Sequence, residues 1–120
     1  MATLAGNKVT AYSWTPSPSP NRPIAPPAGK VWSSVDAKLC AGASPIDGTG
    51  FGFDWSVQMA NSTVVEWDGR TYGNTGEIIG RQLGPNECER GLVFFATPRG
   101  RRPQYVVFSS SSVIKWRVPK

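Results

Sequence analysis

Phe51-Gly52-Phe53-Asp54-Trp55-Ser56-Val57-Gln58-Met59 sets a large apolar side chain at every odd position and Gly, Asp, Ser or Gln at every even one. Strict alternation marks a strand with one face on a core and the other in water, as in an antiparallel sheet. Downstream, Thr63-Val64-Val65-Glu66-Trp67 runs into Asp68-Gly69 and then Arg70-Thr71-Tyr72. Asp-Gly between β-forming residues predicts a tight hairpin, because both central residues of its turn take positive φ. Upstream, residues 41–50 (AGASPIDGTG) read as loop by composition. Before them, Lys30 to Cys40 reads as a long strand. Val31, Val35, Ala37 and Leu39 share one of its faces, and Trp32, Ser34, Asp36, Lys38 and Cys40 the other.

The rest of the chain keeps the same period. Lys8 to Trp14 predicts a strand with Val9, Ala11 and Ser13 on one face and Lys8, Thr10, Tyr12 and Trp14 on the other. Residues 15–29 (TPSPSPNRPIAPPAG) carry six of the eleven prolines. Proline donates no ladder hydrogen bond, so this stretch reads as a stiff connection on the surface rather than a central strand. After the hairpin come a turn at Gly73 to Gly76, a weak strand from Glu77 to Leu83 and a turn at Gly84-Pro85-Asn86. Cys88 to Thr97 follows as a strand whose Leu92-Val93-Phe94-Phe95 run is apolar on both faces. Pro98 to Pro103 is a basic turn, Tyr105 to Phe108 a strand and Ser109 to Ser112 a polar link. Val113 to Val118 ends the series, with Ile114, Trp116 and Val118 inward and Lys115 and Arg117 outward.

Thirteen glycines and eleven prolines make up a fifth of the 120 residues, which disfavours long helices. Seven to eight strands at this spacing predict an all-β chain, an immunoglobulin-like antiparallel β-sandwich, with a small closed barrel as the alternative. The length suits one domain, residues 1–120.

Composition also narrows the chemistry. The chain has no histidine, which excludes Ser-His-Asp and Cys-His nucleophilic sites and every zinc site built on imidazole. No apolar run reaches the ~18 residues of a membrane span. Met1 to Asn7 lacks the basic start and apolar stretch of a signal peptide, so the chain reads either as cytosolic or as a mature domain freed of its leader. Cys40 and Cys88 belong to no C-x-x-C pair. Each borders a strand-like segment, so the two are expected to meet in a disulfide across a sheet or sandwich, with two buried free thiols as the alternative. A bridge implies an oxidising, extracellular setting. The net charge of +5 is uneven: residues 1–89 hold six basic and eight acidic side chains, and residues 90–120 hold seven basic and none acidic. Such a block suits an anionic partner, or else a solvated turn and strand edge.

Several motifs together resemble a known group. GKVWSSVDAKLC (29–40), FGFDWSVQM (51–59), EWDGRTY (66–72), LGPNECERGLVFFATPRGRRPQYVVF (83–108) and VIKWRV (113–118) are similar to the family of the mycobacterial immunoprotective extracellular protein and related secreted or lipid-anchored actinobacterial domains. The matching features are G-x-V-W at Gly29 to Trp32, the acidic-Gly hairpin before Tyr72, the Pro85 to Phe95 block and Trp116. The resemblance implies an exported immunoglobulin-like sandwich with no established reaction, so it assigns no catalytic residue. Cys40 and Cys88 are similar to a cysteine pair in lipoprotein-type members, which the immunoprotective protein itself lacks. A lipid-attachment cysteine near Met1 is missing, a departure from the anchored members.

The residues themselves favour recognition over catalysis. Asp54 beside Phe53 and Trp55, and Glu66 and Asp68 around Trp67, are the carboxylates to weigh for sugar chemistry, and they read as solvated acids beside packing aromatics. Asp36, Asp47 and Asp54 lack calcium-loop spacing, and Asn61-Ser62-Thr63 reads as a turn. No cofactor or metal is implied. Two binding modes remain. One is contact with an unknown protein partner through the connection Pro16 to Pro27 and the turn Arg99 to Arg102. The other is an anionic cell-wall polymer or glycan held by Arg99, Arg101, Arg102, Lys115 and Arg117 with Tyr105. Tyr105, near Arg101 and Arg102, is the only candidate for an aromatic interleaved with basic residues on one face, which argues against nucleic acid.

Overall fold

A computed structural model describes residues 2–4, 7–16, 25–47, 54–67, 82–110 and 113–119. Ten strands are described: β1 (Ala2–Leu4), β2 (Asn7–Pro16), β3 (Lys30–Cys40), β4 (Ile46–Asp47), β5 (Trp55–Met59), β6 (Val64–Glu66), β7 (Gln82–Leu83), β8 (Cys88–Pro98), β9 (Pro103–Ser109) and β10 (Val113–Arg117). They form one sheet in the order β1-β2-β3-β8, a second in the order β10-β9-β5-β6 and a two-stranded ribbon β4-β7. Every pairing is antiparallel.

The two larger sheets face each other over a shared core. Val9, Trp14, Val35, Ala37, Leu39, Val93 and Phe95 come from the first, and Trp55, Val57, Met59, Val106 and Phe108 from the second. Alternation in β5 is as expected, with Trp55, Val57 and Met59 buried and Ser56 and Gln58 partly exposed. Trp55 anchors the second sheet's inner face, its ring centroid 5.1 Å from Phe108 and 5.6 Å from Trp116. Ser33 and Thr97 are the polar residues of this interior. Thr97 Oγ1 donates to Ser33 Oγ at 3.1 Å and Ser33 Oγ to the Phe95 carbonyl at 3.4 Å, so both hydroxyls are satisfied without water.

β3 and β8 pair without interruption from Lys30↔Pro98 to Cys40↔Cys88. The Ala41 amide donates to the Glu87 carbonyl just beyond, which makes Cys40 and Cys88 a non-hydrogen-bonded pair, the closer of the two antiparallel spacings. Their Cα atoms are 4.0 Å apart and they form a disulfide. Leu39 points into the core, so Cys40 points away from it. The bridge therefore joins neighbouring strands on the outer face of one sheet and does not stitch the two layers together.

Three readings of the sequence change, the first being that Thr15 and Pro16 of the Pro-rich stretch close β2, paired with Ser34 and Ser33. Trp14 belongs to the core rather than to the outer face of its strand, because the β2–β3 register shifts between Ala11 and Ser13. Tyr12 is the extra residue of this bulge, which reverses the alternation beyond it and brings Trp14 opposite Val35. Within residues 41–50, Ile46–Asp47 is strand, paired with Gln82–Leu83, and it carries Leu83 into the core. The Gly84-Pro85-Asn86 turn is present, with Asn86 at φ 63° and the Glu87 amide on the Gly84 carbonyl. Val93 and Phe95 face the core, and Phe94 is fully buried on the opposite face. Phe51, Phe53, the Asp68-Gly69 hairpin, the Gly73–Gly76 turn and residues 77–81 of the weak strand lie outside the described residues, as do 17–24 of the Pro-rich connection.

The bulge predicts unequal roles for two aromatics only two positions apart. Trp14→Ala should cost about 3–5 kcal/mol and Tyr12→Ala no more than about 1 kcal/mol in urea denaturation. Equal losses would contradict the shifted register. Replacing both Cys40 and Cys88 by Ala should lower stability by about 4 kcal/mol on the chain-entropy account for a separation of 48 residues. An unchanged urea midpoint would contradict that account, in which the bridge acts by restricting the unfolded chain.

Candidate functional site

Antiparallel pairing gathers specific connections at each end of the sandwich. Pro98 ends β8 and pairs with Lys30 at the start of β3. Pro103 begins β9 beside Met59 at the end of β5, and Arg117 ends β10 opposite Tyr105. The last residues of the Pro-rich connection, the β5–β6 turn, the β8–β9 turn and the end of β10 thus share one end. Two glycines in left-handed conformation shape it, Gly29 at φ 77° and Gly100 at φ 76°. Lys30 donates its amide to Pro27 and Arg99 donates its own to Gly29, both at 3.0 Å. That second bond ties the Pro-rich connection directly to the basic turn.

The cations of the turn are not equivalent. Arg102 is held in place: Nη2 donates to the Pro119 carbonyl at 2.7 Å and the guanidinium lies 5.2 Å from the centre of the Trp14 ring. Arg99 and Arg101 are exposed. Arg101 and Arg102 line an open hollow of about 290 Å³ with Met59, Ala60 and Asn61 of the β5–β6 turn. Asn61 Oδ1 accepts the Thr63 amide at 3.1 Å, which holds the turn expected at Asn61-Ser62-Thr63.

Lys115 and Arg117 belong to a neighbouring surface, the outer face of the second sheet. Their charged groups lie 5.5 and 6.0 Å from the Tyr105 ring centre, and Lys115 Nζ donates to Gln58 Oε1 at 3.2 Å. The six candidate binding residues therefore fall into two sets that meet where Pro119 receives Arg102. A third charged group lies on the outer face of the first sheet and has no sequence signal. Arg90 grips Asp36 through Nε at 3.0 Å and Nη2 at 2.9 Å and stacks 3.9 Å above the Tyr12 ring. The hydrogen bond to Asp36 raises the Arg90 pKa above its ordinary value, against a smaller opposing effect of desolvation. Only the bulge at Tyr12 and the β3–β8 register bring these three together.

Of the carboxylates weighed for catalysis, Asp54 lies just before β5, and Glu66 on β6 pairs with Ser56, two residues after Asp54. Asp68 lies outside the described residues. Partial burial raises the Asp54 pKa from its ordinary 3.8. Among the described residues no group of three or more Cys, Asp or Glu could hold a metal ion, and no helix is long and apolar enough to cross a membrane.

Two antiparallel four-stranded sheets packed face to face, with loops gathered at both ends, define an immunoglobulin-like β-sandwich. The same fold is found in a secreted protein from Mycobacterium tuberculosis, MPT63, whose crystal structure matches with a TM-score of 0.69 over 92% of this chain and 82% of that one. At 15% identity the likeness is one of fold. It agrees with the architecture implied by the motifs from Gly29 to Val118. No protein-family model matches the chain, and no curated protein sequence does.

Asp54 allows a test by pH. A raised pKa means that the folded chain holds the proton more tightly than the unfolded one, so ionisation with rising pH costs stability. Asp54→Asn should therefore be more stable than the parent at pH 7, and the gain should shrink as pH falls through 3.8. A gain independent of pH in paired thermal melts would assign it to something other than the carboxylate.

Proposed function

We propose that this chain is a non-catalytic, extracellular immunoglobulin-like domain that acts by protein–protein contact, through the end of the sandwich where the Pro-rich connection meets the basic turn. The observation that carries the reading is the Arg99 amide on the Gly29 carbonyl, which makes one surface of two stretches 70 residues apart in number. Loops held by a rigid sandwich are suited to recognition, and the exposed cations Arg99 and Arg101 suit a partner with an acidic surface. The Cys40–Cys88 disulfide supports an oxidising, extracellular location, as does the fold shared with a secreted protein.

The Tyr105 platform favours a second reading, an anionic cell-wall polymer or glycan held by Arg99, Arg101, Arg102, Lys115 and Arg117. Salt separates the two. Affinity for a teichoic acid carried by four or five cations should fall on the order of 10²-fold between about 50 and about 200 mM salt.

For the first reading, the purified domain is immobilised and exposed to secreted and surface proteins, beside a variant with Arg99, Arg101 and Arg102 all changed to Glu. A protein retained by the parent at about 200 mM salt and lost with the variant is the expected result. Identical retention by both, or retention of polymer only, overturns it.

A further inference from the structure

We infer that the free edge of β10 is a docking site for an extended polypeptide segment in which acidic and apolar residues alternate, taken up as an added strand. Three observations carry this. β10 ends its sheet, with β9 on one side and no strand on the other among the described residues. The Val118 amide donates to the Gln104 carbonyl, which continues the β9–β10 ladder with Trp116↔Val106 and Ile114↔Phe108 as its hydrogen-bonded pairs. By the same alternation, the amides and carbonyls of Val113, Lys115 and Arg117 point away from β9, towards the open edge.

The side chains specify what fits. Val113, Lys115 and Arg117 lie on the outer face, and Val113 is 62% exposed, whereas Ile114 and Trp116 are half-buried on the core side. Residues directly opposite one another in an antiparallel pair share a face. An incoming strand would thus set one series of side chains beside Lys115 and Arg117 and the alternate series beside Ile114 and Trp116. Acids suit the first series and apolar residues the second. A second copy of this chain docking through its own β10 does not fit, because that pairing sets Lys115 and Arg117 against the same cations. This edge is separate from the loops invoked above, although it rests on the same reading of the chain as a protein-contact domain.

The probe is a capped heptapeptide of alternating Val and Glu, with the same residues rearranged into a Val block and a Glu block as control. The readouts are affinity by titration calorimetry and amide hydrogen exchange. The alternating peptide should bind at least ~10-fold more tightly than the block peptide and should slow exchange at Val113, Lys115 and Arg117. Lys115→Ala removes the side chain with its charge and its contacts to Gln58 and Tyr105, whereas Lys115→Pro removes these and the outward-facing donor too, and leaves the β9–β10 bonds intact. The Pro variant should therefore bind at least ~5-fold more weakly than the Ala variant.

Equal affinity of the two peptides, or equal loss in the two variants, would mean attraction between charges alone and would overturn the proposal. So would unchanged exchange in the parent protein, which decides the matter even where Lys115→Pro fails to fold. Loss of a protein partner on changing Arg99, Arg101 and Arg102, with no peptide bound at β10, would leave the loop reading standing and this one refuted.

Discussion

The uninterrupted β3–β8 ladder is the constraint from which much of the molecule follows. Eleven consecutive antiparallel pairs leave no freedom in which side chains face the core, because a slip of one residue would exchange the two faces of both strands. Val35, Ala37, Leu39, Val93 and Phe95 are thereby committed to the interior. The same parity sets Asp36 and Cys40 of β3, and Arg90 and Cys88 of β8, on the outside. One ladder thus accounts for a third of the buried core cluster, for the bidentate ion pair and for a disulfide that closes at a non-hydrogen-bonded position.

The single irregularity in the neighbouring pairing has consequences at both surfaces. Without the extra residue at Tyr12, continuous alternation would aim Trp14 at solvent. With it, Trp14 packs against the core and supports Arg102 at the basic end, while Tyr12 remains outside beneath Arg90. A bulge that redirects one aromatic inward and leaves another outward links the interior to two separate charged surfaces. The basic end is consequently not a set of loose side chains, since Arg102 is fixed by Pro119 and Trp14 and leaves Arg99 and Arg101 exposed beside it.

The division of the cations bears on the partner contacts proposed above. Arg99 and Arg101 project from a turn, where approach is open and geometry adaptable. Lys115 and Arg117 project from a sheet face, flank an aromatic ring and border an edge strand, where approach is directional. One basic block in the sequence is thus divided between two surfaces of different geometry.

The all-β class, the bounds of β3, the alternation of β5, the Gly84-Pro85-Asn86 turn and the inward series of β10 were all legible from the sequence. Each depends on contacts between a residue and its near neighbours, or on a period that one strand expresses alone. The choice of Cys40 and Cys88 as a bonded pair was legible too, but not its place on the outer face of a single sheet. The bulge at Tyr12 was hidden because an inserted residue leaves each half of the strand with a proper alternation, and only the partner strand shows that the two halves are out of phase. The meeting of Arg90 with Asp36 and Tyr12, of Gly29 with Arg99, and of Arg102 with Trp14 and Pro119 was hidden for a related reason. Residues far apart in the chain become neighbours through strand order and register, and those are decided by how the two sheets jointly bury their apolar faces.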